Sequence, residues 1–580
     1  MKRLSFILHP SSFILFCTVA VFAQQPYDVG DWTSYRDFRN ARALDVGAHE
    51  VFVATSGGLL EYKLMRKQWY DPIVIGYGLS EPIPLGDPVL LLFDEGTGYL
   101  WLATREELLL YDVNAERWRR MERHLWGPGE RVVNIGVGGT DVYVETVPEK
   151  YYPTFFPPGS PIPTDEWWGF ITRYKGSRTF GGFLLDIEPA EPADVRWRGL
   201  RSKVPIPASD LRGLIAVPPV GFPSLTLPFG WTWFPDGTLM DSYLRGMPIT
   251  DWMIDRYGSL WTTFWGGGVM RADLHAITAE FFSAGPAGND VRAIFVGQDE
   301  IWMGGFNSGD RQGISRASRD LISWQFHERR DDSRLRSTDV FDIAQFDGDP
   351  WIATDDGLLA FQKRKKRWSA FTVSDNLFSD QVRALAATDS ELWVGTTRGL
   401  CVLKGSGREV WRIGNAGIEL AGVNDIAFCL DTAYVATPHG IFKGSIHDRE
   451  FRYWPMVGGF LDAPVPEISV MGPEMWWITS EGVLRYDQNT GEAKSWRAET
   501  WLGGEEPSCI LATPKFVWVG TTASGFWRHN RTTGEWIQYT TADGLLDNRV
   551  QVIRRDGNDL LIGTPSGLTR FYWNRPGRAR

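Results

Sequence analysis

An all-β repeat fold, a β-propeller of about 12 and up to 14 four-stranded blades arranged as two packed propellers, is the fold class this sequence predicts. Three observations lead there. A short phrase, an aromatic or apolar pair followed by a small residue and Thr, recurs at near-constant spacing. Around each copy, four apolar runs separated by turn residues follow one order. No segment carries a long 3.6-residue apolar period bounded by helix caps, so helices should be minor.

The phrase is clearest at Val51-Phe52-Val53-Ala54-Thr55, Leu100-Trp101-Leu102-Ala103-Thr104, Trp351-Ile352-Ala353-Thr354, Trp393-Val394-Gly395-Thr396, Tyr434-Val435-Ala436-Thr437 and Trp518-Val519-Gly520-Thr521. Looser copies stand at Tyr143, Trp261, Trp302, Trp476 and Leu561. From 351 to 561 the anchors step by 42, 41, 42, 42 and 43 residues, the length of one propeller blade. Within a unit, Val382–Ala386, Leu392–Thr396, Gly399–Leu403 and Val410–Ile413 read as four strands, and turns such as Asn489-Thr490-Gly491 join antiparallel neighbours. The long interval between Tyr143 and Trp261 leaves room for a further blade, placed around Leu211 to Leu244.

One ring of so many blades would leave a very wide hole, so two rings are expected, divided near residue 330. The expected organisation is a signal peptide over 1–23, a first propeller over 24–330 with Pro- and aromatic-rich insertions at about 146–170 and 185–230, and a second over 331–580. A strand over 31–35 is expected to complete the last blade and remove an exposed sheet edge.

The leader reading rests on Met1-Lys2-Arg3, the apolar run through Val19-Ala20, and small residues at −3 and −1 from a cleavage point after Ala23. It places the mature protein in the periplasm or outside the cell. No later run has the length of a membrane helix. The formal charge is −11, becoming −13 once Lys2 and Arg3 leave with the leader (58 minus 71), which disfavours nucleic acid and anionic surfaces as partners. Cys401, Cys429 and Cys509 are widely spaced and lie in strand-like runs, the pattern of buried free thiols and not of a disulfide framework or a zinc site.

The run Leu392-Trp393-Val394-Gly395-Thr396 to Gly399-Leu400, and Trp536-Ile537-Gln538-Tyr539-Thr540-Thr541-Ala542-Asp543-Gly544-Leu545-Leu546-Asp547-Asn548-Arg549-Val550, resemble the two-component-regulator propeller repeat. A second copy, Phe371 to Val382, keeps the spacing but carries Asn376 where that family has Gly. The resemblance implies paired propellers, usually seven-bladed, of the kind that serve as periplasmic sensors of hybrid histidine kinases in Gram-negative bacteria, often for glycans. It is similar as well to a paired-propeller component of the type IX secretion system. The chain departs from the kinases in having neither a transmembrane helix nor a kinase region.

The function expected is therefore that of an exported, non-enzymatic, ligand-binding or sensor-like propeller for a carbohydrate or other small ligand. The alternative is an envelope scaffold that binds other proteins. A propeller enzyme such as a polysaccharide lyase, glycosidase or quinone-dependent dehydrogenase ranks below both, because metal-ligand spacing, a nucleophile elbow, a P-loop and framed carboxylate pairs are all missing from the sequence. No cofactor and no metal are expected. Most of the 28 Trp fall on second-strand or fourth-strand positions of the repeat and are packing residues. The ligand-binding candidates lie out of phase: Tyr151, Tyr152, Phe155, Phe156, Trp167 and Trp168 in the first insertion, and Trp265 ahead of three glycines.

Overall fold

Antiparallel sheets repeat along the chain in the computed structural model of the protein, which describes Tyr27 and residues 29–574 apart from 78, 80–87, 124, 150–170, 180, 187–193, 200–224, 227–230, 235–237, 274–277, 307–312, 406–408, 415–420 and 456–462. The leader assigned to 1–23 lies outside the described residues. Nine of the eleven sheets have four strands. The only α-helix among the described residues is the single turn Ala498–Trp501.

The recurrent phrase is the second strand of each sheet, and its physics explains its wording. Trp101, Trp261, Trp302, Trp393, Trp476 and Trp518 are fully buried, each worth about 3 kcal/mol of transfer free energy. The closing Thr makes the turn: Thr354, Thr396, Thr437 and Thr564 each donate their hydroxyl to the carbonyl of a Gly three residues on, at 2.7–2.9 Å. The same hydroxyl accepts the N–H two residues on, at Asp356, Arg398, His439 and Ser566. These buried hydroxyls thus satisfy the backbone groups that the hairpin between second and third strands would otherwise strand.

Seven sheets close into one ring. Their inner strands are Ala293–Val296, Val340–Phe346, Val382–Ala387, Asp425–Cys429, Ile468–Met471, Pro507–Ala512 and Val552–Asp556; each packs on the next, and the seventh packs back on the first. The sheet Ala293–Glu328, which spacing alone put in the first propeller, belongs by these neighbours to the second, so the boundary at 330 is corrected to the linker before residue 293. The last blade, with strands Val552–Asp556, Asp559–Thr564 and Gly567–Tyr572, receives its fourth strand from Trp32–Tyr35, paired antiparallel as Trp32↔Phe571 through Tyr35↔Leu568. Trp32 stacks on Phe571 at 3.8 Å with 8° between planes.

The chain then leaves to build the N-terminal ring, whose described inner strands are Ala41–Val46, Leu90–Asp94, Glu130–Gly138 and Gly246–Ile254. Where a separate blade was expected around 211–244, the described strands Leu225–Thr226, Thr232–Trp233 and Thr238–Met240 extend the sheet of Gly246–Ile254 to seven strands. The short strand Arg196–Gly199 pairs on the inner edge of Glu130–Gly138 and carries two arginines to the axis. There Arg198 lies between Asp45 (3.4 Å) and Asp251 (2.7 Å), and Arg196 bonds Asp45 at 2.6 Å.

One apolar cluster joins the rings, running from Tyr35, Phe38 and Leu44 through Trp261 and Val291 to Met303, Leu561 and Leu568. All three described cysteines are free and buried.

Candidate functional site

Between the rings the two linkers leave a cleft of about 870 Å³. Its walls come from the segment following the closure strand, from turns of the N-terminal ring, from the linker into the C-terminal ring and from three loops of that ring. The linkers fit because glycine stands where they touch. A Cβ on Gly305 would come within 1.9 Å of the Asp290 carbonyl, and one on Gly285, whose φ is +77°, within 1.7 Å of the Arg36 carbonyl.

Trp265 is half-buried in the wall, with its backbone N–H on the Pro248 carbonyl at 3.0 Å and the Arg42 guanidinium 4.1 Å from its ring centroid. That cation–π contact fixes the indole plane. Opposite, Phe306 lies 3.9 Å beneath the Arg292 guanidinium. The polar groups are largely spoken for within the wall. Arg39 holds Asp37 through two bonds of 2.7 and 2.6 Å and donates also to the Ala287 carbonyl. Arg245 bonds Asp241 at 2.7 Å and reaches across to Glu328 of the other ring. Burial alone would raise the Asp241 carboxyl, but the backbone and side-chain bonds of Arg245 and its charge pull it below the usual carboxylate range. Asp290 is held by Arg292 at 3.1 Å.

Two raised carboxyls lie elsewhere, on the inner strands of the C-terminal ring. Asp342 is pushed up to about 6 and Asp425 well above its ordinary value, by burial first and, for Asp425, by the Glu467 charge next. Among the described residues, Glu467 alone of the three has a direct cation partner, Arg554 at 3.0 Å. Shifted carboxyls invite a catalytic reading. Their bonds argue for another role. Asp342 accepts the N–H of Ile343 and of Leu385, Asp425 those of Ile426 and Ile468, and Glu467 that of Ile510, each reaching the next inner strand 43 residues on. The same clasp appears in the N-terminal ring, where Asp45 accepts from Phe93 and Asp251 from Leu44. These carboxylates tie blade to blade. Among the described residues no group of three or more His, Cys, Asp or Glu is arranged to hold a metal ion.

Of the residues singled out from sequence, the structure brings Trp265 to the cleft. Tyr151, Tyr152, Phe155, Phe156, Trp167 and Trp168 lie outside the described residues. Sequence reasoning missed the rest of the cleft, because Arg39, Arg245, Asn289, Phe306 and Arg330 come from five separate segments and share no local pattern. It also missed the blade-to-blade clasps, whose signal was present: an acid in or just before the first strand of the unit at 342, 425 and 467, steps of two blades and then one.

No family model matches the chain, and no curated protein matches it. Solved structures do resemble it. PorZ, a bacterial surface component of the type-IX secretion system of Porphyromonas gingivalis, superposes with a TM-score of 0.56 at 12% identity, over 94% of this chain and 87% of PorZ. Two extracellular domains from B. thetaiotaomicron, one of a one-component and one of a hybrid two-component system, give TM-scores of 0.44 and 0.42, both at 15% identity. They match over 93% of this chain and 77% and 82% of their own. At these identities the likeness to PorZ speaks for the fold alone. Among the described residues no helix is long and apolar enough to cross a membrane.

Proposed function

We propose that this is an exported, non-enzymatic receptor, periplasmic or extracellular, whose inter-ring cleft binds a saccharide or similar polar ligand. The observation that carries the reading is the cleft itself: about 870 Å³ set between two rings that Arg245 links through Glu328, with a clamped Trp265 in the wall. Aromatic faces stack on the apolar faces of sugar rings, and planar guanidinium and amide groups bond hydroxyls. The carboxylates that line the cleft, Asp37 and Asp290, are each engaged by an arginine and so are poorly placed to move protons. The extracellular sensor domains that share the general architecture support the same reading by analogy. Tyr151, Tyr152, Phe155, Phe156, Trp167 and Trp168 are proposed to contribute further stacking surface.

A thermal-shift screen of residues 24–580 against oligosaccharides tests it, since a ligand that binds only the folded state raises the melting temperature. The reading expects at least one saccharide to give a shift that Trp265→Ala or a double change of Trp167 and Trp168 to Ala removes. Shifts insensitive to both changes, or no shift with any saccharide, count against it.

A scaffold reading has one observation in its favour. Met65, Ile254 and Tyr257 are 72%, 42% and 50% exposed, and the Tyr257 hydroxyl meets the Met65 sulfur at 3.2 Å, so an apolar patch stands on the N-terminal ring. A secretion-system surface component with the same fold makes a protein partner a reasonable second reading.

A further inference from the structure

The charge balance of the cleft goes one step beyond a generic saccharide. Its lining cations are Arg39, Arg245 and Arg330. The first is taken by Asp37 and the second by Asp241 and Glu328, while Asp290 is taken by Arg292. Arg330 is exposed and makes no hydrogen bond or ion pair among the described residues. In a chain of net charge −11, this cleft thus presents one uncompensated guanidinium. Also in the lining, Asn289 accepts the Asp37 N–H on its side-chain oxygen at 2.8 Å, which turns its NH₂ into a spare donor. No lining carboxylate is left free to oppose an anion, and the clamped indole of Trp265 offers a flat apolar surface in the lining of the same cleft.

We infer that the cleft takes an anionic saccharide, a sugar bearing a carboxylate or sulfate, with Arg330 and the Asn289 amide receiving the oxyanion and Trp265 the sugar face. This rests on the proposed binding role of the cleft. A guanidinium fork matches the two oxygens of a carboxylate or sulfate, and a charge-assisted pair discriminates where a neutral hydroxyl does not.

Calorimetry on the full mature chain with tetragalacturonate, cellotetraose and sodium sulfate decides it. The expected result is binding of tetragalacturonate at least about tenfold tighter than cellotetraose, weakening with added salt, and loss of that preference in Arg330→Gln. Arg330 is exposed, so this variant keeps the fold. Equal affinity for the two saccharides, or a preference that survives Arg330→Gln, overturns the anionic inference while leaving the receptor reading in place. Sulfate alone binding as tightly as tetragalacturonate overturns the saccharide part and leaves a plain oxyanion site. Failure of tetragalacturonate to bind overturns the anionic inference, while the receptor reading falls only if no saccharide in the thermal-shift screen gives a shift.

Discussion

Single residues show how one repeat is fitted to different places in the ring. The turn before the last blade has Gly544 at φ +128°, and a Cβ there would meet Trp32 Cγ at 2.5 Å. In the copy two blades into the C-terminal ring, Asn376 takes the same role at φ 76°, with its side chain donating to the Val410 carbonyl at 2.9 Å. Asn tolerates the left-handed region, so the departure from the family pattern is accommodated where no closing strand presses on the turn. Gly544→Ala should therefore cost about 2–3 kcal/mol in urea unfolding, while Asn376→Gly stays within about 1 kcal/mol. His529 gives a pH-linked expectation. Burial first, then the Lys494 charge, lowers it from 6.5 to about 4, and its ring stacks on Trp536 at 4.3 Å. Its neutral form is the one the fold prefers, so stability is fully present above about 6.5 and falls as pH drops toward 4, by roughly 2 kcal/mol. His529→Phe should flatten that part of the pH-dependence of the melting temperature. An unchanged slope would place the acid sensitivity elsewhere. Both the Thr turn and the Trp anchor were readable from sequence because their chemistry is local. Trp411 was not: it keeps the repeat phase yet is 48% exposed, since exposure of a fourth strand depends on what lies outside the blade.

At the scale of elements, the strand Trp32–Tyr35 matters most. Far from its partner in sequence, it closes the C-terminal ring against Gly567–Tyr572. Trp32→Ala should cost about 3–5 kcal/mol and speed hydrogen exchange first in Gly567–Tyr572. Trp411→Ala, on an exposed position, should stay within about 1 kcal/mol. Equal losses for the two variants would mean that the closing strand contributes no more than a surface contact. The strands themselves were legible because each apolar run is short, β-rich and bounded by turns. The assignment of Ala293–Glu328 was not, because strand pattern is identical in both rings and only the packing of Ala293–Val296 between Val340–Phe346 and Val552–Asp556 decides membership.

For the whole molecule, the chain enters the C-terminal ring, leaves to form the N-terminal ring and returns, so both linkers pass the same place. That path creates the cleft and explains why its residues are far apart in sequence. It also couples the rings: Arg245 to Glu328, Tyr243 to Asp331 (2.8 Å) and Arg570 to Asp71 (2.7 Å) cross between them beside the shared apolar cluster. The fold could be read from periodicity, whereas the site could not, because a site made by the meeting of two rings has no sequence period. Hydrogen exchange of the full mature chain with and without a mixed oligosaccharide pool tests the central claim, that the inter-ring cleft is the binding site. The account predicts slowed exchange in 37–40, 245–248, 265–266 and 287–290, the segments that wall the cleft. Protection confined to outer strands of the blades, or no protection anywhere, would contradict it.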